Sequence, residues 1–101
     1  MKKIIEYNMW KLWKFLMWRD DGENAYFVLK RDIFDKLWDD EIVKFKLKKW
    51  VIMNPSFADE TIARLIKEYP WKVFVDKNVE APVKKIFETI ELTTDIKVEY
   101  I

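Results

Sequence analysis

The sequence predicts an α+β fold, a two-layer α/β sandwich in which helices lie mainly on one face of a mixed sheet of about five strands. The C-terminal half alternates strand-like and helix-like segments, and this β-α-β-α-β order joins parallel strands through helices. The N-terminal half carries an Asp-Gly pair between two apolar runs, the strongest short-range signal for an antiparallel hairpin. At 101 residues, the chain is expected to form one domain, 1–101.

The N-terminal antiparallel hairpin is predicted from residues 12–29. Two aromatic-rich runs, 12–18 and 25–29, flank a polar hexapeptide that holds Gly22, the only glycine. Glycine supplies the positive φ that a tight hairpin turn requires. Residues 12–18 are apolar on both alternating faces, so we expect a central or covered strand. A helix over residues 9–18 is the alternative, because the apolar residues there also recur at helical spacing.

Three further elements are predicted in the first half of the chain. Residues 2–7 form a short strand. Residues 33–38 form a short helix, because apolar residues recur four apart and Asp32 is placed to cap it. Residues 42–52 alternate apolar side chains with lysines, which predicts a strand with one dry and one wet face.

The C-terminal half contains the clearest helix signal. Ser56 and Asp59 have the spacing of a capping box, an apolar stripe follows at helical spacing, and Pro70 ends the pattern. Similar patterns predict the remaining elements, which are a strand at 71–75, a helix at 82–90 and a closing strand at 95–101.

The composition excludes most familiar catalytic sites. The chain has no His and no Cys, so it cannot build a Ser-His-Asp triad, a thiol redox centre or the usual zinc and haem sites. Helix capping explains the single serine, Ser56. One glycine cannot form a phosphate loop or a dinucleotide fingerprint. We therefore expect a protein that is not an enzyme, with no catalytic residue, no cofactor and no metal ion.

Carboxylates offer the remaining chemistry. The Asp-Asp-Glu triplet 39–41 resembles a Mg²⁺ site in composition, but adjacent residues point in different directions and favour a solvated loop. Asp76 after a strand, followed by Asp95 and Lys97, resembles the acid and acid-x-Lys pattern of metal-dependent nucleases, with an intervening helix as the departure. A metal-dependent nuclease is therefore the third function considered.

The composition also indicates the kind of organism and the cellular compartment in which the protein is found. Lys, Glu and Asp dominate the 37% of charged residues, and the lack of Cys, His and Gln is typical of hyperthermophiles. We expect a soluble, cytoplasmic protein of a hyperthermophile or its virus. No apolar run approaches the ~20 residues that span a bilayer, so no membrane partner is expected.

The aromatic content leads to the principal functional hypothesis. Six Trp, seven Phe and four Tyr exceed what so small a core readily buries, so some should contact another molecule. We expect a non-enzymatic interaction or regulatory protein that binds another macromolecule and forms a homodimer through its aromatic N-terminal sheet. The candidate interface residues are Trp10, Trp13, Trp18 and Tyr26.

Nucleic-acid binding is the alternative function. Lysines on one face of a strand are spaced roughly 6.6 Å apart, close to the spacing of successive phosphates, and a neighbouring aromatic ring can stack on a base. Lysines on an edge strand also prevent aggregation without any ligand. The candidate nucleic-acid residues are Lys44, Lys46, Lys48, Lys49 and Trp50.

Overall fold

A parallel sheet forms one layer of the molecule. The computed structural model describes residues 2–9, 18–47 and 53–101. Within them, the strands are β1 (Lys3–Asn8), β2 (Glu41–Lys46) and β3 (Val73–Val75). They form one sheet in the order β1-β2-β3, and both neighbouring pairs are parallel. A single parallel bridge between Val75 and Tyr100 extends the sheet beyond β3.

Helices connect the strands. The helical elements are α1 (Arg19–Asp32), a 3₁₀-helix (Phe34–Lys36), α2 (Pro55–Ala58), a π-helix (Asp59–Ala63), α3 (Arg64–Glu68) and α4 (Ala81–Thr94). The elements α2, the π-helix and α3 follow one another without interruption, and we call them together helix 55–68. None of the helices in the described residues is both long and apolar enough to cross a membrane.

The helices cover one face of the sheet. Val43 and Phe45 of β2 and Val73 and Val75 of β3 are buried in the same apolar cluster as the inward side chains of α1, helix 55–68 and α4. The strand order advances in one direction, and right-handed crossovers then place every connecting helix on the same side. Because side chains alternate along a strand, Lys44 lies on the opposite face.

The prediction of a five-stranded mixed sheet with an N-terminal antiparallel hairpin is wrong. The second predicted hairpin strand, 25–29, and the Asp-Gly turn both lie inside α1. Acidic Asp20 and Asp21 occupy its first turn and basic Lys30 and Arg31 its last, an arrangement that favours a helix through its dipole. The first predicted hairpin strand and its helical alternative fall mainly on residues 10–17, which lie outside the described residues.

The other elements differ from prediction mainly at their ends. Helix 55–68, β3 and α4 are present at the predicted positions. The N-cap of helix 55–68 is Asn54 rather than Ser56, and its side chain accepts a hydrogen bond from the Ser56 N–H at 2.9 Å. The predicted helix at 33–38 is a single 3₁₀ turn. The predicted closing strand is reduced to the bridge at Tyr100. Residues 48–52 of the strand predicted at 42–52 lie outside the described residues.

Candidate interaction surface

Two loops meet at the end of the sheet where β2 and β3 begin. The Lys72 ammonium group donates to the backbone carbonyls of Trp38 (3.1 Å), Asp39 (2.7 Å) and Glu41 (2.9 Å). The Trp38 N–H in turn donates to a Glu41 carboxylate oxygen at 2.8 Å. One lysine therefore ties the loop before β3 to the loop before β2.

Both loops carry a tryptophan that points into solvent. Trp38 is 74% exposed and Trp71 is 80% exposed, although tryptophan is normally among the more buried residues. We call loops 37–41 and 69–72 together the tryptophan edge. Since each ring contributes little to the core, packing of this chain does not account for it.

Trp71 also has an unfavourable backbone conformation. Its φ is 69°, in the left-handed region that glycine adopts freely and bulky residues avoid. The Lys72 N–H donates to the Tyr69 carbonyl at 3.1 Å, so residues 69–72 form a tight turn. Pro70 occupies the second position and Trp71 the third, where the type II turn has its positive φ and prefers glycine. A tryptophan therefore stands where the turn favours glycine.

An apolar cavity opens beside Trp71. It measures about 230 Å³ and lies between the end of helix 55–68, the start of β3 and the C-terminal segment. Lys97 and Glu99 are its charged lining residues. The remaining walls are Ile66, Tyr69, Pro70, Trp71 and Val73.

The Tyr69 wall of the cavity is held by a polar cluster. The Tyr69 hydroxyl donates to Asp35 Oδ1 at 2.6 Å and accepts from Lys30 Nζ at 2.8 Å. Lys30 also bonds to Glu68 Oε1 at 2.6 Å. Donation from the Tyr69 hydroxyl holds the pKa of Asp35 below its usual value, with Lys30 adding to the effect. These contacts fix the ring against the end of α1.

Of the four candidate interface residues, the structure describes Trp18 and Tyr26. Trp18 is 68% exposed and precedes the first turn of α1, whereas Trp38 follows the far end of that helix. Tyr26 is only 5% exposed, its hydroxyl donates to Glu68, and the Arg64 guanidinium lies 3.9 Å from its ring centre. Tyr26 is thus a core residue with little surface for a partner. Trp10 and Trp13 lie outside the described residues.

The predicted nucleic-acid residues are only partly described. Lys44 and Lys46 lie on the sheet face opposite the helices, and both are half-buried. Lys46 Nζ lies 3.4 Å from Glu6 Oε2, so an acidic neighbour reduces the positive charge of this face. Lys48, Lys49 and Trp50 lie outside the described residues.

The acidic residues considered for metal chemistry do not converge. Asp76 accepts a hydrogen bond from the Asn78 N–H at 3.0 Å, in the loop that leads to α4. Asp95 is the C-cap residue of α4, whose 14 residues span about 21 Å. The Glu41 carboxylate is occupied by the Trp38 N–H. Across residues 2–9, 18–47 and 53–101, no group of three acidic side chains is placed to hold a metal ion.

The tryptophan edge was not among the sequence predictions. The sequence pattern predicts a strand that begins at Trp71 and a short helix that ends at Trp38. The Pro70-Trp71 pair did contain a signal, since proline favours the second position of a turn whose third position has positive φ.

No protein-family model, curated protein or solved structure matches this chain.

Proposed function

We propose that this chain is a non-enzymatic interaction protein that binds another protein through the tryptophan edge. The observation that carries the proposal is Trp71, a bulky side chain that is 80% exposed at a φ of 69°. A non-glycine residue in the left-handed region costs on the order of 1 to 3 kcal/mol. Burial does not offset that cost here, so the side chain is explained by a contact outside the chain.

The residue type supports a protein partner. Tryptophan is enriched among the few side chains that dominate binding energy at protein interfaces, because one rigid ring buries a large apolar area. Trp38 lies on the neighbouring loop that Lys72 holds in place. The tryptophan edge therefore offers two aromatic anchors on a rigid support, which limits the entropy lost on binding.

The cavity supports the same conclusion through its size. At about 230 Å³ it is smaller than the roughly 300–1,000 Å³ of pockets that enclose drug-sized ligands. Its apolar walls suit one or two apolar side chains of a partner. Lys97 and Glu99 at the lining supply one charge of each sign for orientation.

Capture from a lysate of the source organism tests the proposal. The wild type, Trp71→Gly and Leu92→Ala are immobilised separately, and each is exposed to lysate with and without nuclease treatment. Leu92 is the control for loss of an exposed apolar side chain, because it is 88% exposed on α4 and does not line the cavity. The captured protein is then purified and its affinity measured by calorimetry.

We expect Trp71→Gly to weaken binding of the purified partner at least about tenfold, while Leu92→Ala leaves it unchanged. Glycine suits the backbone at this position, so loss of binding by Trp71→Gly reports a lost contact rather than a lost fold. Equal binding by the wild type and Trp71→Gly would refute the proposal. Capture that disappears after nuclease treatment would favour the nucleic-acid alternative instead.

A further inference from the structure

We propose that two copies of this chain pair through their β1 strands, in antiparallel orientation about a two-fold axis at Ile4. The two three-stranded sheets would then join into one. The inference does not depend on the tryptophan edge, because β1 forms the opposite side of the sheet from β3.

The β1 strand has an outer edge. In the described part of the chain it pairs with β2 alone. The Lys3 N–H donates to the Asp40 carbonyl at 2.7 Å, so Lys3 directs its backbone groups inward. Backbone groups alternate in direction along a strand, and those of Ile4 and Glu6 therefore point outward. An outer edge of this kind is a template for pairing with another strand.

Neither a proline nor a bulge protects this edge of β1, and the central charge of the strand is Glu6, which the second copy would pair. Proteins usually shield an edge with proline, a bulge or a central charge. Here the strand has regular parallel register with β2 over Lys3–Asn8, and Ile4, its second residue, is 50% exposed. An exposed isoleucine, beside backbone groups that bond to none of the described residues, is what a strand partner would cover.

The strand is complementary to itself in one register. With Ile4 opposite Ile4 of the second copy, Lys2 lies opposite Glu6 of the second copy, and this pair occurs twice. Opposite charges at directly facing positions stabilise a strand pair, and apolar residues do the same at the axis. In the next register along the strand, Ile4 lies opposite Glu6 of the second copy. In the one after that, Glu6 lies opposite Glu6. Both registers lose the two Lys2–Glu6 pairs.

The contacts that Glu6 and Lys2 make within one copy are weak enough to be replaced by contacts with a second copy. Glu6 lies 3.4 Å from Lys46, and its side chain is 55% exposed. Lys2 Nζ donates to the Asp39 carbonyl at 3.3 Å on an exposed surface. Exposed contacts of this length contribute little to stability, so pairing across the axis competes with them at small cost.

The oligomeric state of the full chain tests the proposal. Light scattering and sedimentation over a range of concentrations should give twice the chain mass of 12.5 kDa for the wild type. Ile4→Pro removes one outward N–H and leaves the β2 side of the ladder intact, so it should stay folded and become monomeric. Circular dichroism checks that the Ile4→Pro variant is folded. A monomeric wild type, or a dimeric and folded Ile4→Pro, would overturn the proposal.

Charge exchange tests the register. Lys2→Glu and Glu6→Lys each place like charges opposite one another and should raise the dimer dissociation constant roughly fivefold or more. The double variant restores opposite charges and should return the constant toward that of the wild type. No recovery in the double variant would contradict the register. Trp71→Gly should remain dimeric, so failure of this inference and failure of partner binding are distinguishable.

Discussion

The backbone of Gly22 lies directly against the backbone of Phe57. A Cβ atom at Gly22 would lie 2.6 Å from the Phe57 carbonyl oxygen and 3.0 Å from its Cα. The buried Thr61 hydroxyl lies 2.8 Å from the carbonyl oxygens of both residues. The missing side chain of the only glycine therefore sets how closely α1 approaches helix 55–68.

Gly22→Ala should destabilise the protein. Alanine improves helix propensity by about 1 kcal/mol, but its Cβ meets backbone that cannot rotate away, and overpacking costs typically 1–3 kcal/mol. We expect a net loss of up to about 2 kcal/mol in the free energy of unfolding, measured with denaturant.

Asn24→Ala is the matched control for this substitution. Asn24 is exposed in the same helix, so it tests helix propensity without the close contact. It should leave stability unchanged or raise it by a few tenths of a kcal/mol. A Gly22→Ala protein as stable as the Asn24→Ala protein would show that the helices separate without cost.

Trp71→Gly should stabilise the protein while it weakens partner binding. Glycine relieves the positive φ at residue 71, and the exposed ring contributes little burial that could be lost. We expect the free energy of unfolding to rise by about 1 kcal/mol. Trp71→Ala keeps the strained backbone with a Cβ and should show no comparable gain. Equal stability of the glycine and alanine variants would mean that the turn is unstrained.

Local sequence patterns account for the C-terminal elements better than for the N-terminal half. Helix 55–68 and α4 have both caps and apolar stripes within their own sequences, which are local signals. The Asp-Gly pair at 21–22 is also a local signal, and it predicted a hairpin turn where the structure has a helix. The acidic first turn and basic last turn of that helix are local signals for a helix in the same segment. No local pattern predicts that Gly22 contacts Phe57, because the two residues are distant in the sequence.

The candidate surface could be predicted only in part. The excess of aromatic residues indicated that some would remain exposed, and Trp18, Trp38 and Trp71 are exposed. Which of them share a surface depends on Lys72, which joins two loops far apart in the chain. The positive φ of Trp71 arises from a turn that closes after a helix, and aromatic content alone does not reveal it.

Tyr69→Phe should destabilise the protein near neutral pH. It removes the hydroxyl that contacts Asp35 and Lys30. Because that hydroxyl lowers the pKa of Asp35 in the folded state, its contribution is present above the ordinary pKa and is lost as pH falls through the folded value. Denaturant unfolding should therefore show a difference from the wild type at neutral pH that shrinks in strong acid. A difference independent of pH would contradict the role assigned to Asp35.

Tyr100→Phe should have the opposite effect. The Tyr100 hydroxyl is buried and has no hydrogen-bond partner within the described residues. A buried hydroxyl without a partner costs free energy, so its removal should leave stability unchanged or raise it by about 1 kcal/mol near neutral pH.

The same residue should make the wild type sensitive to alkali. Burial, with Glu91 and Glu88 adding to it, raises the pKa of Tyr100 from 10.0 to about 12. The folded pKa exceeds the unfolded one, so the wild type keeps its stability below about pH 10 and loses stability as pH rises toward 12, where only the unfolded state is readily ionised. Between about pH 8 and about pH 11 the wild type should lose on the order of 1 kcal/mol relative to Tyr100→Phe. Unfolding of both proteins at about pH 8 and about pH 11 measures the difference, and an equal response would place the hydroxyl in water.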